Sequence, residues 1–378
     1  MPNNICSKRP LADCRVLDFS NLLPGPFATQ ILAEAGAQVI KIERPDGGDE
    51  LRAGLPRWGG TSLSFALLNS GKRSIAADLK SPEVREQIFS LVREADVLVE
   101  QFRPGVMARL GLGYEDLKKI NPRLVYCSIT GYGQDGPSAQ VAGHDLTYMA
   151  ESGLLSLSHG VDGSPAIPPV LVADIGAGTM PAVINILLAL RSRDATGEGS
   201  WVDISITDNL LAFPYWGIPR GERYGDWPKP GGERLTGGSP RYQIYRCSDG
   251  RHIAAAPLEQ RFWNVFCEAI GLGADWRDDS KDPEGTRDKV AGIIAGRDSA
   301  HWRGVFDGKD ACAVVVNTLR EAADHPHFRN RGLLDRRISD GDDWLPALKV
   351  PLDPQFLRER AASGWPALGE GNSLLEHG

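Results

Sequence analysis

The chain has 378 residues, 42% of them hydrophobic and 24% charged, with a formal net charge of −7. A chain of this size buries a sizeable core and divides into more than one domain or carries a large excursion from one. The negative balance argues against nucleic acid as a general partner. Cys6, Cys14, Cys127, Cys247, Cys267 and Cys312 are scattered without C-x-x-C spacing, so neither a metal site nor a disulfide framework is expected and a cytoplasmic, reducing location fits.

The first residues, MPNNICSKRPLADC, lack the apolar core of a secretory signal. Arg15 to Phe19 reads as a strand, NLLPGP as a turn, Phe27 to Ala35 as a helix ending at Gly36, and Gln38 to Glu43 as a second strand. Such a strand–helix–strand unit implies parallel pairing. The pattern repeats with Ser74 to Ala77, the amphipathic helix Pro82 to Ala95, the strand Val97 to Glu100, the helix Tyr114 to Ile120 and the strand Leu124 to Ile129. The fold class is α/β, of the doubly wound kind. No G-x-G-x-x-G follows the first strand, so a dinucleotide is not favoured.

Positive charge collects near strand ends: Arg44, Lys72, Arg73, Lys80, Arg103 and Arg109. In open α/β sheets ligands bind outside the carboxyl ends of strands, and arginine grips phosphate bidentately. A polyphosphorylated ligand is the natural inference. Any single one of these cations has the ordinary alternative of a solvated or ion-paired surface role.

Between Ala142 and Leu190 stand two proton-active side chains, His144 and Asp174, thirty positions apart. His144 lies between Gly143 and Asp145, where a loop histidine bonded to its neighbour is the plain alternative to a catalyst. Asp174 precedes Gly176, Gly178 and an apolar helical run that closes at Arg191 and Arg193, which puts it at or just before a helix N-terminus, as a cap or as part of a site. The glycines favour the site, because close approach of a ligand to backbone needs them and a cap does not. The longest apolar run, Met180 to Leu190, contains Pro181 and Asn185 and is short for a bilayer, so no membrane segment is expected.

Trp201 to Ile206 reads as a strand, the Leu210 to Trp216 region as helix or connector, and residues 217–240, rich in Gly, Pro and charge, as a linker. Short strands at Tyr242 to Arg246 and Ile253 to Pro257, then helices at Gln260 to Ile270 and about Arg287 to Ala295, indicate a smaller α+β domain. Glu259 sits where strand gives way to helix, a position natural for a first-turn acid.

The order of LADCRVLDFSNLLPGPFATQILAEAGAQVIKIERP, LLNSGKRSIAADLKS, EQFRPGVMARLGLGYEDL, AGHDLTYMAESG and ADIGAGT resembles the family III CoA-transferase superfamily of CaiB/BaiF type, on the side of its alpha-methylacyl-CoA racemase branch. The resemblance runs from about residue 11 to residue 334. It implies a Rossmann-like large domain with a parallel sheet, residues 1–203 completed by 335–378, a linker at 204–240 and a small α+β domain at 241–334. It also implies an interlocked homodimer.

By the same resemblance the coenzyme A moiety of an acyl-CoA substrate would be held by Arg44, Ala77, Asp78, Leu79, Lys80, Gln101, Phe102, Arg103, Arg109, Gly143 and Tyr148, with no metal and no other cofactor. His144 and Asp174 would be the acid–base pair that epimerises a 2-methylacyl-CoA thioester through an enolate, its oxygen met by N–H groups of the helix that Asp174 opens. Glu259 would orient His144, and Asp145 would support the pair. A histidine at 144 is the racemase pattern, and the transferase branch has a tyrosine there. The alternative is CoA transfer between carboxylic acids, with Asp174 as nucleophile through an acyl-aspartyl anhydride; a CoA-binding regulator is a third reading. Glu259 stands in PLEQRFW where racemases have AIEPQFY, and SPRYQIY stands where they tend to have APYY. The acyl group is left open.

Overall fold

The computed structural model describes residues 9–160, 163–358 and 364–375. Cys6 lies outside them. The other five cysteines are free, and all but Cys312 are buried. The chain divides into two compact units, one of residues 1–152, 168–213 and 329–378, the other of residues 153–167 and 214–328.

The first unit is built on a parallel sheet of six strands. These are β1 (Arg15–Asp18), β2 (Gln38–Glu43), β3 (Arg73–Ala76), β4 (Val97–Glu100), β5 (Val125–Thr130) and β6 (Ser200–Ser205). Their spatial order is β3-β2-β1-β4-β5-β6, every pairing parallel, the order of doubly wound sheets. The inner strands are buried on both faces, which is why VLVE and VYCSIT read as continuous apolar runs rather than alternating ones.

Helices cover the faces: α1 (Pro24–Glu34), α2 (Pro82–Arg93), α3 (Tyr114–Ile120), α4 (Asp145–Glu151), α5 (Met180–Thr196) and α6 (Ile206–Leu210). Helix α1 begins three residues before the expected start, because Pro24 and Pro26 fit a first helical turn, where the missing N–H costs nothing. Ile88, Leu91 and Val92 of α2 and Leu117 of α3 pack with Leu17, Leu98 and Tyr126 of the sheet in one apolar core. Burying a side chain of this kind contributes about 1.5–3 kcal/mol.

Before α5 runs a π-helical segment, Val172–Thr179. The two together make one helix of 25 residues, Val172–Thr196, apolar and long enough to cross a membrane by length and composition. This corrects the shorter span read from Met180 to Leu190. Ala182, Val183, Ile186, Ala189 and Leu190 are buried in the unit, whereas Ile184, Leu187 and Leu188 are exposed.

The C-terminal residues return to this unit. Arg336 and Arg358 pair with Glu34 of α1, Gly371 N–H donates to Ser74 C=O at 2.7 Å, and Trp365 packs tilted against Trp58 at 4.8 Å between centroids.

The second unit holds an antiparallel sheet of β7 (Gln243–Arg246), β8 (His252–Ala255) and β9 (Ala313–Val315), with β8 in the middle. It packs with α7 (Gln260–Ile270), α8 (Pro283–Ala295) and α9 (Ser299–Phe306) around Trp263, Phe266 and Trp302. The segment expected as linker is ordered in part: α6 lies in the first unit, and Gly217–Tyr224 is a helix of the second.

Candidate active site

Beside β1 in the sheet stand β2 on one side and β4 on the other. Connections leave in opposite directions there, the place where doubly wound sheets open a crevice at their carboxyl ends. The loops after β1, β4 and β5 line a cleft of about 340 Å³, with Leu22, Leu23 and Pro24 from the first, Gln101 to Pro104 from the second and Gly131 from the third. Gly143, His144, Tyr148 and Asp174 complete it.

His144 is the exposed N-cap of α4, in extended backbone at φ −139°. Its place is fixed through main chain: the Thr147 hydroxyl accepts from His144 N–H at 2.9 Å and donates to His144 C=O at 2.8 Å. Beneath it, the buried Tyr148 hydroxyl donates to Gly143 C=O at 2.7 Å. A Cβ on Gly143 would lie 2.3 Å from the Tyr148 ring and one on Gly131 2.5 Å from it, so both positions need glycine for the ring to fit. Burial, then the nearby Asp174, push the Tyr148 phenol up to about 12, so it stays a neutral donor.

Asp174 is the third residue of the π-helical segment and half-buried. The N-cap position is held by Leu171, without a side-chain cap, so Asp174 is not a capping residue. Burial first, then Asp145, raise its carboxyl to about 6, and His144 acts in the opposite direction. Asp145 is buried, and its Oδ1 accepts Asp174 N–H at 2.9 Å. Ile175 N–H is bonded to Leu171 C=O. The two N–H groups beside Asp174, expected as donors to an enolate, are therefore already engaged. The neighbouring glycines also serve packing rather than a ligand: a Cβ on Gly176 would meet Phe213 at 3.0 Å, and one on Gly178 would meet Ile206 and Pro24 at 3.3 Å.

A second cavity of about 380 Å³ lies outside β2 and β3 and is lined by Arg44, Ala77, Asp78, Leu79, Lys80 and Phe102 among others. Phe102 borders both cavities. Gln101 and Arg103 line the first, and Arg109 lines neither. Arg44, Lys80, Arg103 and Arg109 are exposed, and none has an ion-pair partner among the described residues. Arg44 Nε donates to Gly48 C=O at 3.0 Å.

Two of the expected strand-end cations do not belong with them. Lys72 is buried and bonds Asp18 at 3.0 Å, Pro26 C=O at 2.9 Å, Thr29 at 2.8 Å and Asn69 at 2.9 Å. Burial lowers its ammonium to about 8. Arg73 opens β3 and lines a cavity with Arg15 and Gln38, at the edge where the strands begin. Glu259 lies in the second unit as the exposed N-cap of α7, with no side-chain cap bond.

Three features escaped the sequence. Leu22, on the cleft wall, has φ +60°, a conformation unusual outside glycine. Gly25 N–H donates to Gln101 Oε1 at 2.9 Å, tying the loops after β1 and β4 together. Glu100, at the end of β4, is a buried carboxylate directly under the cleft turn. A buried acid just before the EQFR turn was the available signal.

The family model for CoA-transferase family III matches residues 11–372. The chain belongs to CoA-transferase family III. Among its relatives, human alpha-methylacyl-CoA racemase is 34% identical over 354 residues, covering 91% of this chain and 88% of that one. The succinate–glutarate CoA-transferase of Agrobacterium fabrum is 35% identical over 394 residues, covering 98% of this chain and 95% of its own. A solved CaiB/BaiF family protein from Brucella suis superposes with a TM-score of 0.81 at 30% identity, over 97% of this chain and 98% of that one. Family III thus includes a racemase and a transferase at nearly equal distance, and its mixed α/β fold is the one described above.

Proposed function

We propose that the chain epimerises 2-methylacyl-CoA thioesters. The observation that carries this reading is an imidazole and a carboxyl on the walls of one cleft, His144 and Asp174, with the carboxyl raised to about 6. Inverting a carbon alpha to a thioester needs one group to take a proton from one face and another to deliver one to the opposite face. Each group must be deprotonated when it starts as base and protonated when it starts as acid. A carboxyl near 6 populates both forms close to neutrality, whereas an ordinary aspartate is ionised and serves only as base or nucleophile.

In one direction His144 removes the alpha proton. The C–H pair moves into the C–C bond, the thioester carbonyl becomes an enolate, and protonated Asp174 delivers its proton to the other face. The reverse direction exchanges the roles. Asp145 keeps Asp174 both in place, through its N–H, and high in pKa. Arg44, Lys80, Arg103 and Arg109 are proposed to meet the coenzyme A phosphates; that none of them has an ion-pair partner among the described residues supports this.

The second reading is CoA transfer, and the 35% identity to a succinate–glutarate CoA-transferase favours keeping it. There the ionised Asp174 attacks the thioester carbonyl, CoA leaves as thiolate, and an acyl-aspartyl anhydride remains. A homodimer is proposed on the exposed apolar Ile184, Leu187 and Leu188 of α5, and a reducing compartment on the five free cysteines.

A panel of 2-methylacyl-CoA esters incubated in heavy water tests the reading. Deuterium at the alpha carbon, with both epimers appearing, is the expected outcome. CoA moving to added carboxylic acids, with a hydroxylamine-sensitive adduct on Asp174 and no exchange, assigns the transferase instead.

A further inference from the structure

Glu100 closes β4 and is 3% exposed. In register beside it across β5 and β6 lie Ser128 and Asp203. A carboxyl in that position has lost most of its hydration, which is costly unless hydrogen bonds replace it. Its Oε2 accepts the N–H of Phe102 at 2.8 Å. The turn so held, Gln101 to Arg103, is the wall of the cleft, and Phe102 is the residue both cavities share. The same turn is held from its other side, where Gln101 Oε1 accepts Gly25 N–H at the start of α1. A ligand long enough to occupy both cavities must pass Phe102.

We propose that Glu100 is a positioning residue for the acyl-CoA ligand, setting the Gln101–Arg103 turn through its bond to Phe102 N–H, and that its neutral form is the one that binds. This rests on the acyl-CoA reading of the cleft. The titratable groups around Glu100 are Tyr126 and Cys127 of β5, Asp203 of β6 and, packed on Tyr126, Tyr114 of α3. Burial first raises the Glu100 carboxyl to about 7; Asp203 adds to that, and hydrogen bonds from Ser128 and Phe102 N–H act against it. No cation among the described residues pairs with it. A protonated carboxyl still accepts the Phe102 bond through its carbonyl oxygen, and it sets no negative charge beneath a polyanionic ligand. An ionised one does.

Calorimetric titration of the wild-type protein with coenzyme A comes first. Absence of binding removes the acyl-CoA reading itself; binding leaves that reading standing and puts only Glu100 to the test. Glu100→Gln is permanently neutral and keeps an acceptor for Phe102 N–H, so at about pH 6 it should bind within about twofold of wild type. Glu100→Ala should weaken binding by about three- to tenfold, with kcat for alpha-proton exchange changed less than KM. Between about pH 6 and pH 8 wild-type affinity should fall more than that of Glu100→Gln, the titration of the ligand's own phosphate being common to both. A folded Glu100→Ala that binds like wild type overturns the proposal. So do equal pH profiles for wild type and Glu100→Gln, a comparison that serves alone if the alanine variant does not fold.

Discussion

Burial and then Asp145 raise the Asp174 carboxyl in the cleft. Because Asp145, after burial, raises Asp174, Asp145→Asn should move below about 6 the acid limb of the kcat/KM profile for the epimer whose proton Asp174 takes, while an asparagine oxygen can still accept Asp174 N–H; an unmoved limb would show that Asp145 has no hold on it. The same shift has a stability counterpart. A carboxyl whose folded pKa lies above its unfolded one binds its proton more tightly in the fold, so the stability it contributes is present below about 4 and is lost as pH rises through about 6. Asp174→Asn removes that loss. Its unfolding temperature should therefore exceed wild type at pH 8 and match it at about pH 4, the stability–activity trade expected of a buried functional acid. At this scale the sequence was half legible. His144 and Asp174 stand out as proton-active residues beside glycines, but Glu100 and Leu22 acquire their roles from burial and backbone conformation imposed by distant segments.

At the level of elements, the loop after β1 is held by buried charge. Lys72 pairs with Asp18 and Lys41 with Asp49, each at 3.0 Å and all four side chains fully buried, and Lys41 Nζ also donates to Ser20 C=O at 2.6 Å. Against burial, which would raise it, Lys72 and Lys41 hold the Asp18 carboxyl far below the usual carboxylate range. Lys72→Met removes the cation bonded to that charge and should cost about 3–5 kcal/mol in urea denaturation, with Asp18→Asn/Lys72→Met less damaging than the single change. Lys80→Ala should do the reverse, leaving stability within about 0.5 kcal/mol while weakening coenzyme A binding. The two lysines look alike in the sequence, eight positions apart at the end of neighbouring short segments; only the packing of Asp18, Thr29 and Asn69 around one of them tells them apart. The strands, by contrast, were legible almost to the residue, because a parallel sheet buried on both faces leaves uninterrupted apolar runs. The π-helical segment was not: its small residues read as room for a ligand, and Phe213, Ile206 and Pro24 fill that room.

On the scale of the whole molecule, the alternation of strands and helices made the doubly wound unit readable, whereas the division into units followed contacts that composition does not report. Residues 153–167 leave the first unit and 329–375 return to it, although neither boundary coincides with the Gly- and Pro-rich stretch. The exposed side of α5, with Ile184 56% and Leu188 61% accessible, is an apolar strip that association would cover. The homodimer proposed on this strip requires that wild type sediment as a dimer and Ile184→Glu/Leu188→Glu as a monomer; a monomeric wild type, or a variant that stays dimeric, would contradict it. His144 and Asp174 are proposed to serve opposite faces of one carbon, and the most direct measurement takes each pure epimer of a 2-methylacyl-CoA in heavy water with wild type, His144→Ala and Asp174→Asn. Wild type should exchange the alpha proton of both epimers, and each variant should lose exchange from one epimer while retaining measurable exchange from the other. Loss of both in either variant, or wild type leaving the alpha proton in place, would contradict that proposal.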